Sequence, residues 1–107
     1  MKKELKKLVE KNKFLFWDCK TYGLDESAIV ERFLNYAEMD QIRDLIKILW
    51  YDRMREIFKW QIVKTRLNYV EPAVVNLFIS YFKLKNEIPY RDTIERAKKS
   101  AFFYQTI

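Results

Sequence analysis

The chain has 107 residues, half of them apolar and 17 % aromatic, which suits one domain with a real core; one glycine and two prolines are too few for the turns of an all-β protein. It contains no histidine and one cysteine, which excludes Ser–His–Asp and Cys–His catalysis, histidine-ligated zinc and an internal disulfide, and agrees with a reducing cytoplasm. The net charge of +6 is carried in blocks of alternating sign: residues 1–13, 43–66 and 83–107 are basic and 18–40 are acidic, a pattern more typical of a self-complementary surface than of a uniformly basic one.

Residues 2–12 predict a helix with a narrow apolar stripe, Leu5, Leu8 and Val9, among lysines. Charges interrupt this opening throughout, unlike a signal peptide, and no apolar run approaches the ~20 residues that span a bilayer. FLFWD follows, residues 14–18. No other segment alternates like a strand that could pair with it, so an irregular or short helical turn is expected, with Phe14, Phe16 or Trp17 packed inward, Trp17 substantially buried, and Asp18 accepting from backbone N–H groups. Gly23, the sole glycine, suits the left-handed end of that turn.

Asp25 is the expected cap of the next helix, with Leu24 and Ile29 at staple positions and Ile29, Val30, Phe33, Leu34 and Ala37 on one apolar face. A third helix is expected from about Asp40 to Trp50, with Ile42, Leu45, Ile46, Leu49 and Trp50 inward. The pattern runs on through Met54, Ile57, Phe58 and Ile62. A break near Tyr51, with Asp52 as cap, is preferred over one helix of 25 residues. After TRLNY, Pro72 suits the first turn of a helix over about 72–84 that is apolar nearly all round and belongs in the middle of a bundle or against a partner. Asp92 and Glu95 have capping-box spacing before a last basic helix, and FFYQTI closes the chain. The expectation is one all-α domain of five or six short helices: a basic N-terminal helix (1–13), a core (14–85), and a basic C-terminal helix and tail (86–107).

Single glycine also excludes a Walker or dinucleotide loop, and Cys19 has no second cysteine to form a metal or redox pair. Asp40 and Asp44 share a helix face, but a cap and a partner for Lys47 explain them better than a metal. No cofactor is expected, and the chain reads as a protein that binds without turnover.

FLFWD, LDESAIVERFLNYAEMDQIRDLI and VVNLFISYF together resemble a family of small bacterial and archaeal proteins of unknown function. Those proteins carry an F/L-F-W-D opening and an I-I-E-R-x-L-x-Y-G stretch. The resemblance covers roughly residues 12–85 and is most specific at Leu15–Asp18 and at Glu31, Arg32, Leu34, Asn35 and Tyr36. Ala37 stands where the family has glycine, so a sharp helix end is less expected there. Members commonly sit beside nucleotidyltransferase toxins of the abortive-infection type. The resemblance thus implies a non-catalytic interaction module, the antitoxin-like partner of such a toxin, with Phe14, Phe16 and Trp17 as contact residues. Core packing is the competing reading of those aromatics.

The alternative is a nucleic-acid-binding protein. The helices at about 40–50 and 53–63 would form a helix-turn-helix, Arg53, Arg55, Lys59, Lys64 and Arg66 would meet phosphates, and Tyr51, Trp60 and Tyr69 would stack on bases. A solvated basic face is its competitor. A homodimer is compatible with either reading. Arg32 is expected to make an intramolecular ion pair or a helix-terminus contact, not a catalytic one.

Overall fold

A computed structural model describes residues 3–17, 25–64, 67 and 69–106, the last six by backbone alone. The fold is all-α. Among the described residues there are six α-helices, one 3₁₀ turn and no strand: α1 Lys3–Lys11, the 3₁₀ turn Lys13–Phe16, α2 Glu26–Tyr36, α3 Met39–Leu49, α4 Tyr51–Val63, α5 Pro72–Tyr81 and α6 Tyr90–Thr106. The expectations for Asp18, Cys19, Gly23 and Leu24 lie outside the described residues. The chain divides into two compact units, residues 1–54 and 55–107.

In the first unit, α1 and α2 both pack on α3, and the 3₁₀ turn packs on α2. Leu5, Leu8 and Val9 are buried, as their spacing predicts. Asp25 caps α2, its carboxylate accepting from the Ala28 N–H at 2.8 Å. The α2 face Ile29, Val30, Phe33 and Leu34 is buried. Ala37 ends α2 sharply without glycine, because the chain turns into extended backbone (φ −81°, ψ 159°), which any residue adopts. The third helix starts one residue earlier than Asp40. Gln41 Oε1 accepts from the Glu38 N–H at 2.9 Å, so the cap belongs to Glu38 and Gln41, and Asp40 sits in the first turn. Asp44 and Lys47 lie 4.0 Å apart, an exposed pair.

The chain breaks between α3 and α4 near Tyr51, as expected, but at Trp50, so that Asp52 lies inside the first turn of α4 and is not its cap. The Trp50 N–H donates to Ile46 O (2.7 Å) and Trp50 O accepts from the Met54 N–H (3.1 Å), so one residue closes the first helix and opens the second. Its backbone stands at φ 73°, ψ 149°, close to a region that is nearly glycine-only, and its side chain is 71 % exposed instead of inward. At about 100° per residue, an unbroken helix would point Ile42, Leu45 and Leu49 to one side and the buried Met54, Phe58 and Ile62 to nearly the opposite side.

In the second unit, the Phe58 ring is a hub. It meets Tyr69, Phe78 and Phe82 at centroid distances of 5.4, 6.1 and 5.7 Å. The Tyr69 hydroxyl donates to Gln61 Oε1 at 2.5 Å, which satisfies two buried polar groups at once. Helix α6 packs on α5, Arg96 donates to Ile62 O at 2.7 Å, and Ser100 Oγ donates to Leu67 O at 2.9 Å. Val75, Phe78, Ile79 and Phe82 are buried, but α5 is not enclosed all round: Leu77 and Tyr81 lie open to solvent.

Nor does α5 reach residue 84. The Lys83 N–H donates to Ser80 O (3.1 Å) and the Leu84 N–H to Ile79 O (2.9 Å), a Schellman end in which Leu84 is buried and Lys83 takes the left-handed position at φ 55°. Glycine normally fills that place without steric cost.

Two outcomes follow from this packing. Phe78→Ala removes a ring from the hub and is expected to lower unfolding free energy by about 3–5 kcal/mol in urea titration. A loss below about 1 kcal/mol would mean the hub is not tightly packed. Lys83→Gly relieves the left-handed strain and is expected to raise stability by about 1 kcal/mol, whereas a fall would show that the lysine side chain matters more than its backbone.

Candidate interaction surface

In a 3₁₀ turn, side chains three apart eclipse one another. The turn after α1 therefore sorts FLFW into two sides. Leu15 and Phe16 go inward, Phe16 tilting against Phe33 of α2 at 6.4 Å. Phe14 and Trp17, one turn apart, go outward and are 62 % and 63 % exposed. This corrects the expectation that Trp17 is buried: the short pitch and the neighbouring α2 admit only the middle pair. Phe16, expected among the contact residues, is instead an anchor in the core.

Trp17 is exposed yet held. The Arg32 guanidinium lies over its ring at 5.2 Å, and Tyr36 meets it edge-on at 4.8 Å. Arg32 Nη1 also donates to Leu15 O at 3.5 Å, so one side chain ties α2 to the backbone of the turn and to its outer ring. Arg32 and Tyr36 are four apart on α2 and thus share a face, which is why both reach the same ring. The carbonyl contact agrees with the role expected of Arg32. Trp17, Arg32 and Tyr36 stand apart in the sequence, and the only local sign of their grouping is the four-residue spacing of Arg32 and Tyr36 on α2.

The basic residues of α4 are placed differently. The Arg53 Nε lies 2.9 Å from Glu26 Oε2. Arg55 is mostly covered. It donates to Phe82 O at 2.8 Å and Lys83 O at 3.4 Å, at the end of α5, and it pairs with Glu87. Lys59 Nζ lies 3.4 Å from Glu87 Oε1. Lys64 is exposed beside Trp60, which is 53 % exposed. Glu56, Lys59, Trp60, Val63 and Lys64 line an open hollow of about 180 Å³. Tyr69 is buried, and Arg66 lies outside the described residues. The joint between α3 and α4 is a single residue, shorter than the 3–4-residue turn of a helix-turn-helix.

Among the described residues no group of three or more His, Cys, Asp or Glu side chains is arranged to hold a metal, and no helix is long and apolar enough to cross a membrane. No protein-family model, curated protein or solved structure matches the chain.

The Arg55–Glu87 contact has a pH signature. The hydrogen bond from Arg55 holds the Glu87 carboxyl below its ordinary value of 4.5, against the opposing effect of desolvation, with the Arg55 charge and Lys59 adding to the lowering. A lowered folded pKa contributes stability that is complete above the ordinary carboxylate range and is lost as pH falls through the folded value. Glu87→Gln is therefore expected to flatten the fall in denaturation midpoint below pH 4.5, relative to the parent chain. An unchanged acid profile would show that the pair contributes nothing in solution.

Proposed function

We propose that the protein is a non-catalytic interaction module that acts in the cytoplasm and binds a protein partner through Phe14 and Trp17. The observation that carries this reading is the state of Trp17: a large ring left in water, yet clamped by Arg32 and Tyr36. Tryptophan is highly buried on average and is enriched at the centres of protein interfaces. A ring already fixed in place loses little conformational freedom when a partner closes over it. The exposed lysines leading to the turn, Lys3, Lys6, Lys7, Lys11 and Lys13, favour a partner with an acidic rim and speed its approach.

The finer identification, an antitoxin-like partner of a nucleotidyltransferase, is supported by the sequence resemblance alone. The nucleic-acid reading draws on Lys64 and Trp60, since Arg53, Arg55 and Lys59 already make internal contacts.

Co-expression with the protein encoded beside this one, after nuclease treatment, tests the proposal. A complex that survives nuclease and moderate salt, and that Trp17→Ala weakens by roughly 30-fold or more, is the expected result. Binding that disappears with the nucleic acid, or that fades steeply as salt rises, would overturn it in favour of phosphate recognition.

A further inference from the structure

Trp60 stands beside a groove that α4 makes on its own outer face. Residues four apart on a helix are offset by about 40° and about 6 Å, so they stack into rows along it. Glu56, Trp60 and Lys64 form one such row, and Lys59 and Val63 form the next. The Lys64 N–H donates to Trp60 O at 2.8 Å, which keeps Lys64 in helical register just past the end of α4. The open hollow of about 180 Å³ is lined by these five residues and is therefore the groove between the two rows. An enclosed space of about 150 Å³ holds benzene, so the groove has room for an aromatic ring.

The two ends of the first row carry opposite charges. Glu56 stands one turn before Trp60 and Lys64 one turn after it, both exposed and both within about 40° of the indole. Glu56 also lies 3.5 Å from Arg55, at the flank of the row, and Lys59 is engaged by Glu87. The row thus offers one acid and one base, a balance that suits a copy of the same row better than a chain of phosphates. Helices whose i±4 ridges enter each other's grooves cross at about 50°. A two-fold axis beside Trp60 then sets the row Glu56, Trp60, Lys64 of each copy in the groove of the other, in reverse order. Acid meets base at both ends, as an isologous interface requires.

We propose that the Trp60 groove is a self-association site, in which two copies of the chain cross at α4, each indole enters the other's groove, and Glu56 of each copy stands beside Lys64 of the other. Each copy completes the other's site, and the site uses none of the residues assigned above to the protein partner. A single helix crossing falls short of the ~800 Å² per partner of standard stable complexes. The dimer is accordingly weak, with a dissociation constant on the order of 100 µM.

Sedimentation equilibrium of the nuclease-treated full chain from roughly 10 µM to 1 mM reads this directly, spanning either side of that value. The parent chain is expected to shift from monomer to dimer. Trp60→Ala is expected to weaken association by about tenfold or more while leaving the helical circular dichroism intact, since the ring is 53 % exposed. Trp17→Ala is expected to leave association unchanged, which separates this site from the partner surface. Lys64→Glu alone sets acid against acid and weakens association; Lys64→Glu with Glu56→Lys restores it. The double exchange matters because a base at the end of α4 also suits the helix dipole within one chain. On that explanation alone the exchange would leave the copies no better paired than the single variant. A monomer at every concentration, association indifferent to Trp60→Ala, loss on Trp17→Ala, or no recovery in the double exchange would each overturn the proposal.

Discussion

The chain turns at Trp50, between two helices that each carry a buried stripe of their own. Each helix buries its own stripe, and a single residue separates the two helices. No glycine stands there, so Trp50 carries a positive φ and a side chain thrown into water. Such strain costs roughly 1–3 kcal/mol and persists only where the flanking structure imposes it. Here the paired hydrogen bonds to Ile46 and Met54 do so.

The same logic of short-pitch geometry governs the turn after α1. Three residues per turn leave room for two of the four FLFW side chains against α2, and the other two are displayed. The chain has three tryptophans, and all three are more exposed than covered. Among the described residues, only Trp17 of the three has both a cation over its face and an aromatic edge against it. That distinguishes a presented side chain from one that merely failed to find a place in the core. Leu77 on α5 is open for a different reason: its helix is apolar on both sides, and its own unit covers one of them.

Much of the architecture was legible in the residues. Asp25 before an acidic first turn, Pro72 before VVNLF, and the spacings of Leu5, Leu8 and Val9 and of Ile29, Val30, Phe33 and Leu34 are local signals, and each element stands where they put it. What escaped depends on distance along the chain. Hydrophobicity says that Trp17 and Trp50 would gain from burial, but not whether a neighbour leaves them space. Arg53 and Arg55 looked like a phosphate-binding face because the acids that meet them, Glu26 and Glu87, lie about thirty residues away. The early stop of α5 at Tyr81 was hidden because a left-handed lysine gives no glycine to mark it.

The central claim is that Trp17 is open to solvent and yet fixed. A chain carrying Trp50→Phe and Trp60→Phe leaves it as the only indole, and both substitutions fall on exposed side chains. Acrylamide quenching and time-resolved fluorescence anisotropy of that variant read exposure and local motion separately. The account predicts red-shifted emission that acrylamide readily quenches, together with anisotropy that decays with tumbling of the protein and gains a fast component on Arg32→Ala. Blue-shifted, protected emission would show Trp17 to be a core residue. Fast depolarisation before any substitution at Arg32 would show that nothing holds the ring in place.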